Sequence, residues 1–98
     1  MRIWSVKVKP EHLRLLQGDG ELTDYHFNSN VAHHLFCRHC GVRPFDWVDL
    51  TPPRAKYYNI SVACLDGLDI DELMAAPVAY EDGLNDNWGT RPKEIRHL

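Results

Sequence analysis

Cysteine is scarce in this chain: three thiols in 98 residues, an odd number. That excludes a dense disulfide framework and fits a reducing compartment, so a cytoplasmic protein is expected. Long apolar runs are missing too. None approaches the roughly 20 residues that a membrane-spanning helix needs, and no leader of the secretory kind opens the sequence. Positive charge is not in excess. Eleven Lys and Arg stand against 14 Asp and Glu, a net charge of −3 with His neutral, which argues against nucleic acid as a partner. No phosphate-binding loop, nucleophile elbow or Ser/His/Asp arrangement is visible, which sets aside the chemistries those motifs carry. No repeat or low-complexity tract divides the chain. At this length, and with 44% hydrophobic and 26% charged residues, one globular domain over residues 1–98 is the default.

What is present reads as short strands and turns. Residues 2–8 alternate, which predicts a strand with Trp4, Val6 and Val8 on its buried face. Pro10 ends it and permits one turn near Glu11-His12. Gly18-Asp19-Gly20 is a turn signal. Residues 22–28 and 31–36 form a hairpin around Asn28-Ser29-Asn30, because Asn tolerates left-handed backbone. Residues 42–48 follow as a strand, with Pro44 demoting part of it to an edge or bulge. Pro52-Pro53 marks a loop over residues 49–55. Residues 56–62 form a further strand, with Tyr58, Ile60 and Val62 on one face. Leu65-Asp66-Gly67 turns the chain. One short helix is expected over residues 69–74, capped by Asp69 with Glu72 three residues on. Beyond Ala76-Pro77 the pattern weakens, and Trp88 is the expected tether. The fold class is mainly β, with antiparallel sheets and one short helix.

The chemistry concentrates in Cys37-Arg38-His39-Cys40, followed by Gly41. Two thiols separated by two residues can grip one metal ion from a single turn, and zinc favours sulfur donors in a tetrahedral set of four. Gly41 fits, since the residue after the second thiol needs a positive φ that glycine adopts without strain. The competing readings are two buried free thiols or a local disulfide. A redox pair of the thioredoxin kind needs a strand followed by a helix, and here both flanks read as strands. Only half a tetrahedral set is present. Cys64 stands alone and shares parity with the Tyr58-Ile60-Val62 face, which favours a small buried hydrophobe over a third ligand. His33 and His34 are adjacent on a strand and so face opposite ways. His26 lies across the hairpin and can pair with one of them, while His39 is expected to face solvent. His34 and Cys64 are the candidate additional metal ligands. Asp66, Asp69, Asp71 and Glu72 lack the spacing of a calcium loop and read as a solvated, capping patch.

The order of these motifs resembles that of a known family. The segments are 10–18, Tyr25-His26-Phe27, His33-His34-Leu35-Phe36-Cys37-Arg38-His39-Cys40-Gly41, and Asn59-Ile60-Ser61-Val62 with Leu65-Asp66-Gly67. In combination they resemble the glutathione-dependent formaldehyde-activating enzymes, a family that also includes centromere protein V. The resemblance spans residues 3–75. It implies a β-rich, tent-like domain with two zinc sites and carbon–sulfur lyase activity, in which the glutathione thiol adds to formaldehyde to give S-hydroxymethylglutathione. Cys37 and Cys40 match the later Cys-x-x-Cys pair of the family's structural zinc site.

Against the family pattern, the chain corresponds to the C-terminal two-thirds of the domain. The early Cys-x-Cys pair and the catalytic cysteine cluster have no counterpart among its three thiols. The resemblance therefore assigns no catalytic residue here, and it implies an impaired or inactive lyase. The alternative is a non-enzymatic module that binds a glutathione-like thiol or a partner, with zinc or metal-free. Two thiolates leave a zinc ion half-coordinated. A homodimer in which two chains share one zinc is the expected remedy.

Overall fold

Period-two alternation is what the strands have in common, and it places them where the sequence predicts. The structure is a computed structural model that describes residues 3–53 and 55–97. Arg2 of the first predicted strand and Arg54 of the Pro52-Pro53 loop lie outside these residues. The strands are β1 (Ser5–Val8), β2 (Leu22–Tyr25), β3 (Ala32–Cys37), β4 (Phe45–Val48) and β5 (Tyr57–Ser61). They form one open antiparallel sheet in the order β1-β5-β4-β3-β2, so the fold is mainly β as expected. Strands β2 to β5 are a meander, each joined to the next. Strand β1 closes the far side by pairing with β5.

Turn chemistry sets the register. Asn28 and Asn30 both adopt positive φ, 55° and 56°, and Asn30 N–H donates to Phe27 O at 3.0 Å. This closes the hairpin so that Tyr25 faces His34 and Leu22 faces Cys37. Directly opposed residues share a face. One face of the sheet therefore carries Leu22, Asp24, His33, Leu35, Cys37, Phe45, Trp47, Tyr58 and Ile60. The other carries Tyr25, His34, Phe36, Asp46, Val48 and Tyr57. On that second face Tyr25, Phe27 and His34 form an aromatic ladder, with ring centroids 5.7 to 6.4 Å apart.

Three expectations are corrected. Strand β4 begins at Phe45 rather than residue 42, because Pro44 has no N–H to give a ladder; its carbonyl still accepts from Ser61 N–H at 2.9 Å. The β1 face is not buried: Trp4 is 49% and Val6 36% exposed, because the sheet is open and thinly covered there. Strand β5 stops at Ser61, and Val62–Cys64 is a 3-10 turn, which breaks the alternation that would have buried Cys64. Cys64 is exposed, whereas Val62 is buried and, with Val48, makes up the buried apolar core among the described residues.

Residues 3–66 form one compact unit and residues 67–97 a second. The second holds the single α-helix of the described residues, α1 (Ile70–Ala75). It starts as predicted: Asp69 Oδ1 accepts from the N–H groups of Asp71 and Glu72, at 2.8 and 3.2 Å. Trp88 is 60% exposed, yet it ties its own loop. Its ring lies against Gly83, and its Nε1–H donates to Asp86 at 2.8 Å.

Candidate functional site

Strand β3 ends by delivering Cys37 into a tight turn, and three hydrogen bonds shape it. Cys37 N–H donates to Val42 O and Gly41 N–H to Cys37 O, each at 2.8 Å, while Arg38 N–H donates to Glu21 O at 3.1 Å. Gly41 takes φ 76°, the left-handed value the sequence predicts. The turn aims backbone N–H groups at the Cys37 sulfur. The N–H of Cys40, then that of His39, then the Cys40 thiol hold the Cys37 thiol below its ordinary pKa, against a small opposing effect of burial. Hydrogen bonds to the charged form favour the thiolate, which is the form that binds metal. Both thiols are free; Cys37 is half-buried and Cys40 exposed.

Glu21 fastens the outside of this turn. Its carboxylate accepts from Arg38 Nε at 3.1 Å and also meets His39 Nε2. Arg38 first, then His39, hold its carboxyl below the usual range. His39 is exposed as expected but not idle. Sequence reading missed Glu21, whose only signal is its place just before the strand that pairs with β3.

The candidate additional ligands do not join the cysteines. His34 faces away from Cys37, and its Nδ1 lies 3.5 Å from Asp46 Oδ1. Asp46 is buried and has Arg43 Nε 3.3 Å from the same oxygen. Cys64 lies exposed on its own turn. Among the described residues, Cys37 and Cys40 gather no third His, Cys, Asp or Glu donor.

A three-donor group forms elsewhere on the same hairpin. Asp24, His26 and His33 each offer a ligand atom, all within 4.8 Å of one another, so this group could hold a metal ion. His33 Nδ1–H donates to Asp24 Oδ2 at 2.7 Å, and His26 Nδ1 lies 3.6 Å from Asp24 Oδ1. Partial burial works against ionising Asp24. Hydrogen bonds and charge from His33, then His26, outweigh it and lower the carboxyl pKa. The His33 ring stacks on Trp47, with centroids 3.7 Å apart and planes 10° from parallel. Lys56 Nζ stands 4.0 Å from the centre of the same indole. The pairing of His26 with one histidine of the 33–34 pair was expected, and the partner is His33, with ring centroids 4.9 Å apart. The role of Asp24 was missed, although the Asp24-x-His26 alternation was its signal.

Beside this group runs an open groove of about 350 Å³. Leu13 and Leu15 border it from the loop before β2, and Asp24, Phe45, Trp47 and Tyr58 form its floor. That volume lies in the range of small-molecule sites. No helix among the described residues is long and apolar enough to cross a membrane.

The elements thus define a small antiparallel-sheet unit with a two-cysteine turn at one end of a hairpin and a His/Asp group toward the other. No family model matches the chain. It is similar to the crystal structure of a Rhodobacter sphaeroides protein solved as a structural-genomics target. The TM-score is 0.56 and the identity 29%, over 70% of this chain and 61% of that one. The chain thus spans less than two-thirds of that protein's length.

Proposed function

We propose that this chain is a cytoplasmic zinc-binding domain related to the glutathione-dependent formaldehyde-activating enzymes, with Cys37 and Cys40 as half of a structural zinc site. The observation that carries this reading is the turn at Cys37. A positive-φ glycine and two N–H groups directed at one sulfur suit a thiolate pair bound to zinc. The donors fit half of a closed tetrahedral set, and a second copy of the chain supplies the other two thiolates. Zinc held there supplies folding energy, not chemistry, by tying the end of β3 to the segment leaving the turn.

The family's reaction joins a glutathione thiol to formaldehyde at a cluster of three cysteines. This chain has three cysteines in all, and Cys64 lies apart from the other two, so lyase activity of the isolated chain is low or nil. Native mass spectrometry tests the zinc reading. The expected species is a dimer that shares one cysteine-bound zinc ion between its two turns, and Cys37→Ser and Cys40→Ser each lose that ion and keep any zinc bound elsewhere. Zinc-free monomers and dimers under saturating zinc overturn it. The groove on the Phe45 and Trp47 face favours a second reading, a non-enzymatic module that binds a glutathione-like thiol. Turnover of formaldehyde and glutathione by the pure chain, abolished by Cys37→Ser, overturns that one.

A further inference from the structure

We infer that Asp24, His26 and His33 form a second metal site, for a first-row transition ion such as zinc, independent of the cysteine turn. Two imidazoles and one carboxylate are a nitrogen-rich donor set. Such a set suits Zn²⁺, Co²⁺, Ni²⁺ or Cu²⁺ and does not suit Mg²⁺ or Ca²⁺, which call for oxygen donors. The spacing is close to what coordination needs. Donors held about 2.1 Å from one tetrahedral ion lie roughly 3.4 Å apart. Here Asp24 reaches the two ring nitrogens at 2.7 and 3.6 Å, so small rotations of exposed side chains complete the geometry. An ion takes the place of the proton that His33 now shares with Asp24.

The site is also preorganised. His33 is pinned by the Trp47 ring, so its imidazole is not free to rotate. The hairpin turn at Asn28 and Asn30 fixes His26 opposite it. Three protein donors leave at least one coordination position open, the arrangement that metal sites working on a ligand share. Asp24 and Trp47 both border the groove, so a small ligand lodged there lies next to the ion. The lining sets Leu15, Phe45 and Tyr58 beside the carboxylates of Asp19 and Asp24, which suits a small ligand with polar as well as apolar parts and one metal-binding donor such as a thiol.

Cobalt titration of the whole chain tests this, after all thiols are capped with iodoacetamide to silence the cysteines. The capped protein is expected to take up one Co²⁺, with visible ligand-field bands and no thiolate charge-transfer band. His26→Ala and Asp24→Asn are each expected to weaken that uptake at least about tenfold. His26 is 44% exposed in its side chain, so its removal leaves the fold intact, which circular dichroism verifies. Capped protein that binds no cobalt overturns the inference, and so does binding that both variants leave unchanged. Uncapped protein that shows only the charge-transfer band locates the metal at the cysteines alone and overturns it as well. Perturbed His26 and His33 ring nitrogens in long-range ¹H–¹⁵N spectra on adding Zn²⁺ support the site. Perturbation confined to His39 and its neighbours counts against it.

Discussion

Replacing Gly41 separates backbone strain from packing, because its surroundings are empty. It holds φ 76°, and a Cβ built there meets no atom within 4 Å. Gly41→Ala therefore introduces no clash. It introduces the left-handed penalty of an L-residue, roughly 1–2 kcal/mol. Against this, alanine narrows the unfolded ensemble and returns about 0.4–1 kcal/mol. The net loss is about 1 kcal/mol, which for a chain of this size lowers Tm by about 4–8 °C. Gly41→Asn costs less, since asparagine visits this region readily, as Asn28 and Asn30 do in the same unit. Gly41→Val costs more, because a branched Cβ is a true outlier there. Urea or thermal unfolding followed by circular dichroism gives the ranking Gly, Asn, Ala, Val. Alanine as stable as glycine, or asparagine as harmful as valine, refutes the left-handed turn and with it the geometry of the cysteine pair.

Three further outcomes follow from the same structure. Because N–H groups stabilise the Cys37 thiolate, its alkylation by iodoacetamide reaches half-maximal rate at a lower pH than that of free glutathione; peptide mass spectrometry resolves it, and an equal or higher midpoint contradicts the assigned hydrogen bonds. The Asp24 carboxyl titrates below the ordinary aspartate value, so its contribution to stability is complete above that value and fades as pH falls through the lowered one; ¹³C NMR follows the carboxyl, and Asp24→Asn removes that part of the acid pH dependence and leaves the part due to Glu21. Val48→Ala removes two carbons from a side chain only 8% exposed and costs about 1.5–2.5 kcal/mol in urea unfolding; a loss below about 0.5 kcal/mol shows that the site is not packed.

Local signals in the sequence proved legible where the cause is local. Gly41, Asn28 and Asn30 announce positive φ by their residue type, and Asp69 announces its cap by spacing. Alternation located all five strands to within a few residues. Burial was not legible for Trp4, Val6 and Cys64, because it depends on what covers the sheet and on where a strand stops. Asp24 joins its two histidines only once the hairpin register is fixed. Asp24 and His33 are nine positions apart, and no linear spacing rule connects them.

The hairpin register has a consequence for where the chain's chemistry comes from. Asp24, His33 and Cys37 lie on one face of the β2–β3 pair because Tyr25 faces His34 and Leu22 faces Cys37. The reverse face holds the Tyr25, Phe27 and His34 ladder. A slip of one residue between the two strands turns β3 over relative to β2. His33 and Cys37 would then lie on the face opposite Asp24, and the donor group would be split. The Asn28-Ser29-Asn30 turn contributes no donor to either candidate site, yet it decides whether the donors of the two strands meet. One residue added to that turn reprograms the hairpin without altering a single ligand.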